Sequence, residues 1–366
     1  MTPFRLPLLE PSRAALETCV YCPKLCRAAC PVSNAEPKET LIPWGKMSFA
    51  YFAARGDVPV DEAHAAPAWA CTACFACREA CDHRNEVAPT LRDARAALFA
   101  EGAAPPEAVK VSARWAEHEA ELARAATALE TSADPAVSSK VPALVLLGCS
   151  YARRAPEAAR DALFAVSRLL DRPVRPLSLC CGMPLLDAGD RPGFVAAATK
   201  FAKAVEEAPE LVALDPGCAH TVIVEHPRLG VRTRRPELFV DLVARRKDVL
   251  ARLPDLGSVR YHDPCKLGRG LGRYDEPRAV LAALTGKAPQ DFQRSREQGE
   301  CSGAGGLLPV TRPDTSRRIA DARIAEHHAQ GGGTLVTACA GSLHRFRSRG
   351  EPAVDLASLV ARALGR

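Results

Sequence analysis

A chain of 366 residues, 47% of them hydrophobic, has ample material for a buried core and for two to three domains. Its net charge of +6 is interspersed with acidic residues, as in EAARDALFAVSRLLDR, and only 5% of residues are aromatic; neither a basic patch nor a stacking platform for nucleic acid is present. No stretch approaches the ~18 consecutive apolar residues of a membrane span, and MTPFRLPLLEPSR lacks the apolar core and cleavage site of a secretory leader. The fifteen cysteines are therefore expected to stay reduced in a cytoplasmic protein, serving metals or redox chemistry, with membrane association only through a partner.

In chain order, three prolines, Pro3, Pro7 and Pro11, oppose a long helix at the start. Cysteines then come in two runs. CVYCPKLCRAACP holds Cys19, Cys22, Cys26 and Cys30; CTACFACREACD holds Cys71, Cys74, Cys77 and Cys81. The second run is C-x2-C-x2-C-x3-C, and the first has one extra residue in its middle gap and a proline, Pro31, after its last cysteine. Two such runs are the ligand set of a two-cluster ferredoxin, in which the fourth cysteine of each run crosses to the other cluster. That rule assigns Cys19, Cys22, Cys26 and Cys81 to one 4Fe–4S cluster and Cys71, Cys74, Cys77 and Cys30 to the other. A disulfide framework and zinc are the competing readings; zinc usually takes two close pairs rather than two runs of four.

About forty residues separate the runs, too many for a ferredoxin built of tight hairpins. Met47, Phe49, Ala50 and Ala53 space like one helix face before the stop signal Gly56, so this domain is read as all-α. Trp44 and Trp69 flank the gap as shielding. TLRDARAALFAEG and PPEAVKVSARWAEHEAELARAATALE predict two further helices, with Pro105 and Pro106 at the start of the second. TSADPAVSSKVP, residues 131–142, reads as a linker.

Beyond it, short apolar runs alternate with helical patterns. VPALVLLGC ends in Cys149, VRPLSLCCG in Cys180 and Cys181, and LVALDPGC in Cys218. Helical faces fall between them, at Ala159, Leu163, Val166 and Leu170 and at Phe194, Phe201 and Val205. This alternation predicts parallel α/β sheets with cysteines at the strand ends, where open sheets place their ligands. The pattern then repeats. SVRYHDPC ends in Cys265, QGECSGAGG carries Cys301, a helix with Ile319, Ala322 and Ile324 follows, and TLVTAC reaches Cys339. Cys181 to Cys218 and Ser302 to Cys339 both span 37 positions, and LFVDLVARR and VDLASLVARAL close the two halves. An internal duplication of roughly 110 residues accounts for this.

The cysteines at 149, 180–181 and 218, and HDPC with CSGAGG at 262–265 and 301–306, resemble two copies of the cysteine-rich CCG domain. With the helical ferredoxin in front, nearly the whole chain resembles the iron–sulfur subunits of heterodisulfide reductase, of glycolate oxidase and lactate-utilisation complexes, and of anaerobic glycerol-3-phosphate dehydrogenase. The expected domains are 1–130 (helical two-cluster ferredoxin), 143–256 (first CCG module) and 257–366 (second CCG module). In heterodisulfide reductase each module has a lone Cys, a Cys–Cys pair and C-x2-C, and holds an unusual cluster that attacks a disulfide. Here Thr221, Ser302 and Ser342 occupy three of those cysteine slots. Cys149, Cys180, Cys181 and Cys218 still suffice for one further cluster, whereas Cys265, Cys301 and Cys339 make an incomplete set. The resemblance implies an electron-relay subunit between a flavoprotein partner and an acceptor such as a quinone or membrane-anchor subunit. A catalytic heterodisulfide or thiol reductase and a metal-stabilised scaffold are the alternatives.

Neither GAGG at 303–306 nor GGG at 331–333 fits a nucleotide-binding loop, so flavin or nicotinamide is expected on another chain. Tight backbone passage explains the first and a helix end the second. The nine histidines, His118 among them, read as surface or helix residues. His220 and His262, close to Cys218 and Cys265, are set apart as possible ligands or proton donors, with hydrogen bonding to a neighbouring strand as the plainer reading.

Overall fold

The computed structural model describes residues 3–24, 26–130 and 142–366. The expected linker, 131–142, falls outside them apart from Pro142. Two compact units result: residues 1–115 with 184–194 and 297–323, and residues 116–183 with 195–296 and 324–366.

The first unit is helical. Helices α1 (Arg13–Val20), α2 (Pro43–Arg55), α3 (Glu62–Trp69) and α4 (Val87–Ala100) pack together around Leu16, Met47, Tyr51, Trp69, Leu91 and Leu98. Local chemistry sets their ends. Pro43 opens α2, where its missing N–H costs nothing, and Gly56 closes it in the left-handed region at φ 86°. The Asp61 side chain caps α3 by accepting from the His64 N–H. The helix expected over residues 105–130 is broken at Arg114 into Pro106–Ala113 and α5 (Trp115–Glu130).

Residues 184–194 and 297–323, distant in sequence, complete this unit through buried polar contacts. Arg92 Nε donates to Asp187 Oδ1 at 2.8 Å, and Trp69 Nε1 donates to the Ala188 carbonyl at 3.3 Å. Arg95, 1% exposed, donates to the carbonyls of Ala68, Cys71, Asp187 and Gly306 at 2.9, 2.9, 2.9 and 3.2 Å. Gly305 and Gly306 are required there, because a Cβ at either would collide with the carbonyl oxygens of Thr72 and Cys71. GAGG is thus a close-packing segment, as expected, with the second cysteine run as its neighbour.

Glu36 makes a further tie, accepting from Arg312 Nη2 at 2.6 Å and Thr315 Oγ1 at 2.7 Å. Burial raises its pKa, but the donors Arg312, Lys38 and Thr315 outweigh burial and bring it down to about 2 from 4.5. A depressed carboxylate stabilises the fold fully above its unfolded value, and that contribution is lost as pH falls from about 4.5 towards 2. Glu36→Gln is therefore expected to speed amide exchange in 310–316 at pH 7, after correction for intrinsic rates, and to flatten the acid limb of stability. Unchanged exchange there would remove Glu36 from this role.

The second unit holds two parallel sheets. The first has strands β1 (Ala143–Leu146), β2 (Val174–Pro176), β3 (Leu211–Ala213) and β4 (Glu237–Leu238) in the order β2-β1-β3-β4. The second has β5 (Val259–His262), β6 (Thr334–Thr337) and β7 (Val354–Asp355) in the order β5-β6-β7. A single parallel bridge, Arg260 to Gln290, stands beside β5 where the first sheet has β2. The buried strands read as continuous apolar runs, as parallel strands covered on both faces do. The two-residue strands β4 and β7 lie just ahead of the apolar stretches that close each repeat, and are too short to carry a periodic signal.

Helices α6 (Cys149–Arg154) and α7 (Pro156–Leu170) follow β1, and α8 (Phe239–Arg245) follows β4. Helix α9 (Asp275–Thr285) follows β5; α10 (Ala340–Arg347) follows β6 and α11 (Leu356–Ala363) follows β7. The repeats exchange partners: α7 packs on α11, and α9 packs on α8. Tyr151 on α6 donates its hydroxyl to Asp355 Oδ2 at 2.6 Å, while Asp355 Oδ1 caps α11 through the Ala357 N–H. The repeats are therefore interlocked by apolar helix faces and one buried hydrogen bond.

Candidate metal centres

All fifteen cysteines are free thiols, with no disulfide among them. In the first unit the two runs line two cavities. One, of about 430 Å³, is walled by Cys19, Cys22, Cys26, Cys77 and Cys81. The other, of about 340 Å³, is walled by Cys30, Cys71, Cys74 and Cys77. Cys81 lies with the first run and Cys30 with the second, and Cys77 faces both cavities.

The backbone is bent to present these sulfurs. Among the described residues, seven non-glycine residues have positive φ, and Lys24, Ala73, Phe75 and Arg84 of these lie within or just after the cysteine runs. Such conformations cost energy and persist where surrounding structure imposes them. Donors converge on the sulfurs: Asn85 Nδ2 to Cys19 at 3.0 Å, Lys46 Nζ to Cys30 at 3.3 Å and the Ala73 N–H to Cys71 at 3.3 Å. Burial pushes Cys19 up to about 12 and Cys26 up to about 11, so bare thiolates are costly in this interior. Closely grouped cysteines, cavities between them and amide or ammonium donors to sulfur fit a thiolate-bound iron–sulfur cluster.

The cavities differ electrostatically. Among the described residues, Lys46 on α2, 1% exposed, is the one Lys, Arg, Asp or Glu lining the second cavity. Burial lowers the proton affinity of its ammonium, but the negative Cys30, Cys71 and Cys77 raise it further, and the balance lies upward. The first cavity is lined instead by Lys24, Asp82 and His83. Lys24 is half-buried, sits 4.1 Å over the Trp44 ring and lies 3.7 Å from Glu39. Trp44 donates to the Val20 carbonyl and walls the first cavity; Trp69 is buried in the helical core.

In the second unit, β1 and β3 deliver Cys149 and Cys218 at their C-terminal ends, with Cys180 and Cys181 following β2. Gly148, at φ 87°, passes so close to the Asp215 side chain and Cys218 Sγ that a Cβ would stand 2.8 and 3.0 Å from them. The four sulfurs form a hydrogen-bonded row, Cys149–Cys180–Cys181–Cys218. The flanking thiols lower Cys149 to about 5 and also lower Cys181, whereas Cys180 and Cys218 are raised as donors. Burial lifts Asp215, which caps the Cys218 turn at 3.0 Å, to about 7. His226 donates from Nε2 to the Cys181 carbonyl and accepts from Thr233 at Nδ1, each at 2.9 Å.

Sequence reasoning passed over His118. Its ring nitrogen, Cys149 Sγ and Cys180 Sγ all lie within 4.8 Å of one another. The residue stands on α5, 31 positions before Cys149, inside a charged stretch that reads as a solvated helix; only the tertiary fold pairs it with thiols. The slots lacking cysteine have other duties. Thr221 donates to the Gly217 carbonyl at 2.8 Å, and Ser342 hydrogen-bonds to Cys339, whose thiol burial pushes up to about 12. Cys265 and Cys339 are close enough to interact electrostatically. Cys301 belongs to the first unit, where its sulfur accepts from the Gly303 N–H at 3.3 Å. His262 is buried edge-on to Phe346, with centroids 4.9 Å apart, and His220 is buried against Gly270.

A 4Fe–4S dicluster domain family matches residues 15–85, and a cysteine-rich domain family matches residues 143–223 and 259–347. An iron–sulfur relative, one of the subunits of the CoM/CoB fumarate reductase of Methanothermobacter marburgensis, is 26% identical over 83% of this chain and 62% of its own length. A subunit of the dihydromethanophenazine:CoB–CoM heterodisulfide reductase of Methanosarcina mazei is 28% identical over 55% of each chain. Its counterpart in Methanosarcina barkeri is 34% identical over 30% of this chain and 28% of the relative. The chain thus spans less than two thirds of the length of these relatives. A hypothetical protein from Helicobacter pylori shares the fold, with a TM-score of 0.57 at 11% identity over 98% of this chain and 76% of that one. A dicluster domain followed by two cysteine-rich domains places this chain with the iron–sulfur proteins of the heterodisulfide reductase and CoM/CoB fumarate reductase type.

Proposed function

We propose that this chain is an iron–sulfur electron-transfer subunit of an oxidoreductase complex, relaying electrons between a flavoprotein partner and a downstream acceptor. The observation that carries the reading is the pair of cysteine-lined cavities with Cys77 as a common wall. Cys19, Cys22, Cys26 and Cys81 would hold one 4Fe–4S cluster, and Cys71, Cys74, Cys77 and Cys30 the other. Such clusters supply one-electron transfer at potentials tuned by burial and by donors to sulfur. The chain's own part is to exclude water with Trp44, Val87 and Phe75 and to aim Asn85, Lys46 and the Ala73 amide at sulfur. The first cavity opens toward solvent through Asp82 and His83, whereas its neighbour is lined mainly by buried residues. The outer site therefore suits exchange with a partner's flavin, and the inner one leads toward the segment that carries Cys301.

Relatives support the reading. EtfAB:quinone oxidoreductase of Syntrophomonas wolfei is 40% identical over 22% of this chain, and a probable membrane-anchored ferredoxin of Chromohalobacter salexigens is 37% identical over 29%. Among the described residues no helix is long and apolar enough to cross a membrane, so a membrane acceptor would be reached through a partner. Anaerobically purified protein is expected to hold at least about eight irons per chain and to give low-temperature EPR signals on reduction by photoreduced flavin. Absence of iron and of any such signal would overturn the proposal.

The row Cys149–Cys180–Cys181–Cys218, with His118 beside it, favours a second reading as a thiol or disulfide reductase. In that case EPR spectra would change on adding a disulfide, and the change would vanish in Cys180→Ala; a relay would show neither.

A further inference from the structure

We infer that Lys46 makes the cluster site of Cys30, Cys71, Cys74 and Cys77 the preferred resting place of a single added electron, ahead of the site of Cys19, Cys22, Cys26 and Cys81. The inference rests on the two-cluster reading above and concerns what one side chain does to it.

Burial alone predicts the opposite order. An added electron makes a cluster more negative, and a low-dielectric surrounding penalises that charge. The second cavity is the more enclosed one: Cys30 and Cys74 are buried, as are Val32, Pro43, Thr72, Phe75 and Ala88. The first opens at exposed Asp82 and His83. On solvation alone, the electron would sit on the outer site.

Lys46 reverses the balance. Its ammonium is fully buried, 3.3 Å from Cys30 Sγ. Among the described residues no carboxylate lies within ion-pair distance of it, so its charge is directed at the thiolates alone. A fixed cation in a dry interior is unscreened and acts far more strongly than one in water. Arg95 adds a second buried cation on the same side, through its hydrogen bond to the Cys71 carbonyl, although Asp187, 3.8 Å away, offsets much of its charge. The outer site has no counterpart among the described residues. Its buried sulfur donor is the neutral amide of Asn85, while Lys24 is partly solvated and faces Glu39, and Asp82 contributes negative charge.

Lys46 is therefore a positioning residue for charge. Its position within α2 also explains an otherwise costly choice. A lysine between Gly45 and Met47, on a helix buried over most of its surface, gains nothing from packing that Met or Leu would not supply. A standing negative partner is what repays its desolvation.

The test is a potentiometric EPR titration of the purified protein with dithionite. In wild type the higher midpoint potential is expected to belong to the inner cluster, identified as the signal perturbed in Cys74→Ser and unperturbed in Cys19→Ser. In Lys46→Met, of similar length but neutral, the one-electron-reduced protein is expected to shift its electron towards the outer cluster by tenfold or more. That is about 59 mV for a one-electron couple. Lys46→Arg, which keeps the charge, should retain the wild-type order. Two intact clusters with unchanged potentials in Lys46→Met would overturn the inference. Should that variant not hold iron, a wild-type order with the Cys19 cluster uppermost would overturn it equally. Iron and sulfide below one cluster in wild type would instead defeat the underlying two-cluster reading, which the iron count reveals before any titration.

Discussion

Replacing Cys74 by alanine is expected to leave about four of roughly eight irons per chain, with one EPR-active cluster surviving. Cys74 is buried and lines the inner cavity alone, so its loss removes a ligand from one site without opening the other. Cys77 faces both cavities, and alanine there should cost iron from both, because it also removes their common wall. The contrast between the two variants, read by iron, sulfide and spin counting after anaerobic reconstitution, tests the crossed assignment of Cys30 and Cys81. A Cys74→Ala protein with undiminished iron would refute it. Zinc in place of iron in both variants would instead favour a purely structural role for the runs.

The second large effect is expected at Asp187. Its carboxylate accepts from Arg92 Nε at 2.8 Å and lies 3.8 Å from Arg95 Nη1, and all three side chains are at most 5% exposed. Asp187→Asn would take this counter-charge away from two buried guanidinium groups. Breaking a buried pair by removing one partner costs about 3–5 kcal/mol, since the remaining charge is compensated neither by water nor by its former partner. Loss of clusters on heating or in urea should therefore begin well before that of wild type. Because Arg95 also supports the Cys71 carbonyl, the inner cluster should go first. The double change Asp187→Asn with Arg92→Met should recover part of the loss by removing one of the two cations. Equal stability of the single variant and wild type would show that solvent reaches these arginines.

These expectations bear on what the sequence could reveal. The cysteine runs were legible because cluster ligation fixes both residue type and spacing within a few positions, and the alternation of apolar strands and helices was legible because it is periodic. The duplication extends to topology: β1, β3 and β4 match β5, β6 and β7, and the Gln290 bridge stands in for β2. The charged residues that matter most were not legible. In KMSFAYFAAR, Lys46 looks like the polar side of a helix, and in TLRDARAALFA so do Arg92 and Arg95. Nothing local separates a buried cation from a solvated one when its partners lie far away in sequence, as they do for Asp187, Gly306 and, at His118, for Cys149 and Cys180. Residues 184–194 and 297–323 carry no sign that they belong with the N-terminal helices.

That last feature has a bearing on biosynthesis. A ribosome releases the cysteine runs first, yet Asp187, Ala188 and Gly306, which satisfy Arg92, Trp69 and Arg95, emerge up to about 235 residues after Cys71. Domains generally fold as units during synthesis, N-terminal first. Here the N-terminal helices cannot finish early, because their buried donors lack these acceptors until most of the chain is made. Cluster insertion is thereby tied to a nearly full-length polypeptide. A chain truncated before residue 306 would hold its iron ligands in an unfinished shell, so incomplete products would be poor at retaining reactive iron.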